Sequence, residues 1–324
     1  MNIPQKLLRV GHTHRFYSSS IPDKNSIYVL SIPLTTSRSF IYCNHRPILI
    51  GKASKAPLIS KIESRAVNIA TKGWNKLASS KLTVNVKIVE WIRKLLATIP
   101  YEENCLRSFP NKEAMIREIN EESLHLVKPV EKKDDSEGGG IVVNQSDIKQ
   151  LNIPASQLKP IPLYHAQYQH PSIILDELVR FRSDNYKKHK KGAVLCAIGI
   201  PLSLPFALVP VVPNVPGFYL AYRLYCHVKA LLGINHLDYL LDNNMASQHI
   251  RFTQLPQIDE AYGEQLGEDG ADDTFERLLI TPEIIDTLVT KLSLENNVKD
   301  DLTKALMQTK KRLKKNIKLD DQVE

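Results

Sequence analysis

The chain has 324 residues, 43% of them hydrophobic, with 43 Lys and Arg against 35 Asp and Glu for a formal net charge of +8. A chain of this length buries a full core, and an excess of cations suits an anionic partner such as nucleic acid or anionic lipid without choosing between them. The four cysteines, Cys43, Cys105, Cys196 and Cys226, form no Cys-x-x-Cys pair, which speaks against a zinc ribbon or a disulfide framework and for reduced thiols.

Before Asp23 there is no acidic residue, while Lys6, Arg9 and Arg15 are followed by Ser18 to Ser20. That composition predicts a mitochondrial transit peptide over 1–17. Arg15-Phe16-Tyr17 resembles a matrix-protease site, with cleavage expected after Tyr17. The alternative is a basic tail. Residues 18–130 are expected to hold a β-hairpin and a basic helical region. In 26–50 two β-branched and aromatic runs flank Thr35-Thr36-Ser37-Arg38, the pattern of a hairpin, with a third short strand expected at Ile48 to Ile50. Pro33 marks an edge or a strand end. Residues 58–98 read as helical and carry Trp74 and Trp91 among many cations, a face suited to anionic lipid or RNA. The plainer reading of that stretch is a solvated face with two buried tryptophans. Asn111 is placed to cap a further helix running to Leu126.

The stretch 131–170 reads as linker and irregular chain, opening on the charged, glycine-bearing EKKDDSEGGG. Residues 171–233 are expected to form an amphipathic helix over 171–186, the cationic run Lys187-Lys188-His189-Lys190-Lys191, and a membrane hairpin over 192–233. From Gly192 to Val212 no residue is charged, and a helix of that length spans roughly the 30 Å of a bilayer's apolar core. Pro201, Pro205, Pro210, Pro213 and Pro216 interrupt it, so the segment is expected to bend, spanning twice or dipping once. A soluble, proline-broken core segment is the competing reading. Beyond Pro216, Tyr219, Arg223 and His227 share one helical face at a spacing of four. An arginine at membrane depth costs about 2.5–3.5 kcal/mol, so Arg223 needs a partner, a polar cavity or a route to the headgroups. Either the face lines an ion-sensitive path or Arg223 snorkels. Residues 234–324 read as an acidic loop at 257–276 and a C-terminal amphipathic helix. That helix opens at Thr281-Pro282-Glu283, keeps one apolar face through Leu306 and ends in a basic tail from Lys310 to Lys315.

Three segments resemble the fungal family of mitochondrial potassium/proton exchange-related proteins: IPLTTSRSFIYCNHR at 32–46, IPYEENCLRSFP at 99–110 and, most specifically, IGIPLSLPFALVPVVPNVPGFYLAYRLYCHVKALLG at 198–233. Together they cover 26–233. The resemblance implies an inner-membrane component of the system that exchanges matrix K+ for H+ and so guards matrix volume. It carries no catalytic residues with it. One hairpin and no internal repeat fit a required subunit or regulator better than a self-sufficient transporter.

No enzyme is expected. The densest candidate, Tyr164-His165 with Tyr168 and His170, lacks a carboxylate or cysteine partner at metal-ligand spacing, and Cys43 with His45 is a bare pair on one strand. The sequence thus gives no catalytic, cofactor or metal residues, and only Tyr219, Arg223 and His227 as a candidate membrane polar face. The expected architecture is mainly α (α+β): an N-terminal β-hairpin, a helical body on the matrix side, a Pro-rich membrane hairpin and a C-terminal helix. Expected partners are inner-membrane lipid, with cardiolipin as a candidate, and other exchanger-system proteins or a self-oligomer. K+ and H+ are the candidate transported ions, and no small-molecule substrate is expected. The rival reading is a membrane-tethered scaffold that binds anionic lipid or the mitochondrial ribosome.

Overall fold

A computed structural model describes residues 16–17, 23–45, 68, 71–75, 77–110, 115, 160–205, 215–241, 249–263 and 276–320. In chain order the elements are β1 (Phe16–Tyr17), β2 (Tyr28–Pro33), β3 (Ser39–Asn44), α1 (Thr83–Ala97), α2 (Tyr101–Ser108), β4 (Ile161–His165), α3 (Pro171–Leu202), α4 (Val215–Leu240), β5 (Ile250–Gln254), α5 (Pro256–Tyr262), α6 (Pro282–Lys291) and α7 (Asn296–Asp320). The described residues are mainly helical around one small mixed sheet.

The N-terminal hairpin forms as expected. β2 and β3 pair antiparallel from Tyr28↔Asn44 to Pro33↔Ser39. The turn closes where the four polar residues predicted it, with the Leu34 and Thr35 amides donating to the Arg38 carbonyl at 2.9 and 3.0 Å. The hairpin does not stand alone. It is one edge of a five-stranded sheet of order β1-β5-β4-β2-β3. β4 runs parallel to both β2 and β5, and β5 runs parallel to β1. Parallel neighbours need long crossovers, and the chain between β4 and β5 supplies one as the α3–α4 helical pair.

β4 lies inside the 131–170 stretch expected to be irregular, and β5 in the region left to loop and helix. Ile161, Leu163 and His165 alternate inward, a strand pattern that Pro162 obscures. β2 is matched only to Leu163 and Tyr164, so Pro162 falls where β4 needs a partner on one side alone. The acidic stretch 257–276 is likewise not all loop. It contains most of α5, whose Ile258 and Tyr262 are buried, the Tyr262 hydroxyl donating to the Pro33 carbonyl.

One apolar core runs through β2, β3, α2, α4, α6 and α7, with Leu30, Ile32, Leu106, Leu288 and Leu302 fully enclosed. Thr281 caps α6 as the sequence predicts, its hydroxyl accepting from the Ile284 amide at 3.3 Å. The C-terminal helix, expected to be continuous, divides in two. Ser293 takes φ +52°, the left-handed conformation that ends helices. α7 then restarts the apolar face with Val298, Leu302 and Ala305 buried.

The spanning form of the expected membrane hairpin finds no support among the described residues. No described helix is long and apolar enough to cross a membrane. α3 is one 32-residue helix that absorbs both the 171–186 segment and the cationic run. Its uncharged part, 192–202, is about 16 Å long, half a bilayer core. One face of the far half of the expected hairpin packs against protein: Cys226, His227 and Ala230 are buried. At Gly233 any Cβ would collide with the Leu106 carbonyl oxygen, so α2 and α4 touch backbone to backbone.

Four expectations fall outside the described residues wholly or in large part: residues 1–15 of the transit peptide, the strand at Ile48 to Ile50, the helix from Asn111 to Leu126 apart from Met115, and the 131–140 linker. Phe16 and Tyr17, the last residues of the expected transit peptide, form β1 at the sheet edge.

Candidate functional site

Four charged or ionisable side chains meet where α2, α3 and α4 converge. α2 begins after Pro100, with Glu102 and Glu103 in its first turn, where the helix dipole favours carboxylates. Cys105 and Leu106 anchor α2 in the core, and Glu103 points toward the helical pair at 2% exposure. Arg223 and His227 stand one turn apart on α4. His189 is the single inward-facing member of the cationic run on α3; the four lysines beside it are exposed.

Arg223 grips Glu103 with both ends of its fork, Nη1 to Oε1 at 2.5 Å and Nη2 to Oε2 at 3.0 Å. Nη2 also lies 3.4 Å from His227 Nε2. The two imidazoles meet Nδ1 to Nδ1 at 2.9 Å, and His189 Nδ1 lies 3.9 Å from Glu103 Oε2. A guanidinium only donates, which fixes the tautomers. His227 accepts at Nε2, so its proton sits on Nδ1 and is donated to His189 Nδ1. His189 then carries its own proton on Nε2, a buried atom with no partner. Gly192 makes room for this pairing: a Cβ there would stand 2.5 Å from His227 Nε2.

Burial drives both histidines toward the neutral form. His189 is lowered to about 4, with Glu103 opposing and His227, Lys188 and Arg223 reinforcing the shift. His227 is lowered by burial and by the Arg223 charge. Burial alone would raise the Glu103 carboxyl, but the Arg223 hydrogen bonds and charge outweigh it and hold it below the usual carboxylate range. At neutral pH the cluster is therefore an ionised carboxylate, a guanidinium and two neutral imidazoles.

Of the candidate polar face, the structure brings Arg223 and His227 into this cluster, with half-buried Tyr219 one turn before Arg223. The partner that Arg223 required is a glutamate of α2. Neither Glu103 nor His189 was readable as a site residue: they lie 86 positions apart in sequence, and His189 is masked by the lysines around it. The only available signal was the mismatch of one neutral ring inside KKHKK. The other flagged residues serve the fold. His165 Nδ1 lies 2.8 Å from the Ala166 carbonyl oxygen, and His170 caps α3 by accepting from the Ser172 amide at 3.3 Å. The four cysteines are buried, and no disulfide joins them.

Beyond the cluster, the α3–α4 pair ends in an apolar tip. No residue from Gly192 to Tyr222 is charged. Val194, Leu195, Ile198, Leu202, Leu204 and Phe218 are 53–71% exposed there. Exposed Lys187, Lys188, Lys190 and Lys191 form a cationic collar at its base. α1 presents a second such face. Trp91 is 51% exposed rather than buried, with Leu82, Val84 and Val86 also in solvent.

Residues 28–241 match the family described as mitochondrial K+-H+ exchange-related, a span holding the whole cluster and the apolar tip. The chain belongs to this family. An uncharacterized protein of Saccharomyces cerevisiae is 31% identical over 90% of this chain and 87% of its own length. An uncharacterized protein of Schizosaccharomyces pombe is 26% identical over 72% of this chain and 81% of its own. No solved structure matches. Membership associates the protein with the mitochondrion and with K+/H+ exchange.

Proposed function

We propose that the protein is a required subunit or regulator of the K+/H+ exchange system of the mitochondrial inner membrane. In this reading its folded body faces the matrix, it supports K+ efflux and volume homeostasis, and it holds the membrane by the α3–α4 tip. One observation carries the reading: six large apolar side chains exposed together beyond a lysine collar. In water such a patch is a liability. In lipid each such side chain contributes roughly 1.5–3 kcal/mol when fully buried, less here for the share already covered, and each lysine near anionic headgroups adds about 1 kcal/mol. The uncharged part of α3, about 16 Å long, suits one leaflet, so the tip dips into the membrane rather than spanning it.

A monotopic anchor favours a supporting role over a carrier acting alone, since no described helix crosses the membrane. The rival reading, a scaffold on anionic lipid or the mitochondrial ribosome, draws on the exposed Trp91 of α1 beside Arg93 and Lys94. Passive swelling of isolated mitochondria in potassium acetate separates the two. Loss of the gene abolishes or slows swelling if the protein serves exchange, and a restored copy recovers it. Unchanged swelling leaves the scaffold reading in its place.

A further inference from the structure

We propose that Glu103, His189 and His227 form a binding site for a borderline divalent cation of the zinc class, and that the cation displaces Arg223 from Glu103. The three residues come from three helices, and one ligand atom from each lies within 4.8 Å of the others. Two imidazoles and one carboxylate are an established donor set for such ions. Ligands at about 2.0–2.1 Å around a tetrahedral ion stand about 3.3 Å from one another. The observed separations of 2.9 Å between the two Nδ1 atoms and 3.9 Å from His189 Nδ1 to Glu103 Oε2 bracket that value. All three pairs lie within 4.8 Å, so side-chain rotation has to draw the three ligands onto the ion.

Burial keeps both imidazoles neutral, and Glu103 is ionised. Binding has one proton to move: the hydrogen on His227 Nδ1 shifts to Nε2, the atom that Arg223 vacates, while His189 Nδ1 already offers a lone pair. His189 Nε2, which lacks a partner, keeps its proton when Nδ1 binds the ion. Arg223 is the resident cation. Its side chain is 14% exposed against 2% for Glu103 and 1% for His189. The bound ion would cross-link α2 to the α3–α4 pair. This inference does not rest on the exchange reading, and its test involves no ion flux.

The test is cobalt(II) titration of the purified, chelator-stripped full-length protein, followed by its visible absorption and then displaced by zinc. The expected result is one cobalt per chain, with tetrahedral-type bands and no thiolate-to-cobalt charge transfer. His189→Gln and His227→Gln should each weaken binding by at least the roughly 10- to 100-fold that loss of an outer partner costs a metal site. Arg223→Gln should tighten it on the order of tenfold, since a charge-assisted hydrogen bond no longer competes. Should a variant fail to fold, the cobalt-shifted imidazole N–H signals of the wild type decide, with two expected. Wild-type binding no stronger than that of the His189→Gln/His227→Gln double variant, a thiolate band, or fewer than two shifted imidazole signals would each overturn the assignment.

Discussion

Arg223→Ala strands a carboxylate in the protein interior, and its cost can be worked from the geometry. Glu103 is 2% exposed and accepts two hydrogen bonds from Arg223, at 2.5 and 3.0 Å. Hydrogen bonds to charged groups are worth about 1.5–3 kcal/mol each. That sum agrees with the about 3–5 kcal/mol lost when one partner of a buried pair is removed. Arg223 is 14% exposed, so water reaches its side and the lower part of that range, about 3 kcal/mol, is expected. Total stabilities of about 5–15 kcal/mol make such a loss large. Removing both charges with Arg223→Met and Glu103→Gln should return the protein to within about 1 kcal/mol of wild type. Urea unfolding in mild detergent, followed by circular dichroism, measures both. The sign with pH is also fixed. In wild type the depressed Glu103 pKa stabilises above the unfolded value of 4.5 and that contribution fades as pH falls through the lower folded value. In Arg223→Ala the trend reverses, and acid partly rescues the fold. A single variant losing under about 1 kcal/mol, or a double variant no better than the single, would refute the account of this cluster.

A second buried carboxylate behaves in the opposite way. Glu177 accepts from the Ser39 amide at 2.7 Å, and burial pushes its pKa up from 4.5 to about 7. Stability from this group is full below pH 4.5 and lost as pH rises through 7, a decline of about 3 kcal/mol; Glu177→Gln should flatten that slope in unfolding measured between pH 4 and 8. Gly192→Ala should cost about 1–3 kcal/mol by driving a methyl into the His227 ring, read as a lowered Tm with unchanged helix content. His227→Ala added to it should recover part of the loss. Ile198→Asp with Leu202→Asp should reduce flotation with cardiolipin-containing vesicles at least tenfold without changing Tm, since both side chains are more than half exposed. Equal flotation would show that the tip is not the anchor.

How much of this was legible follows the range of each signal. The β2–β3 turn and the Thr281 cap were readable because each is written in a few adjacent residues. β4 and β5 are five residues each, and one holds a proline; what makes them strands is pairing with β2 and with each other, far along the chain. The apolar run at 192–212 was read by its length as a span. Tertiary structure assigns its described part to the end of a helix whose base is charged and whose partner is buried against α2. Arg223 is the instructive case. Its need for a counter-charge followed from elementary electrostatics, but Glu103 lies 120 residues away and is named only by the fold. His189 was hidden because composition averages over KKHKK, whereas the helix turns one of those five inward.

The central claim joins the apolar tip to potassium exchange, so the most direct measurement puts both in one assay. Mitochondria from cells lacking the gene are supplied with wild-type protein or with the Ile198→Asp/Leu202→Asp variant at equal abundance, and passive swelling in potassium acetate is followed by light scattering. The account predicts recovery with wild type and none with the tip variant. Full recovery with the tip variant would contradict it.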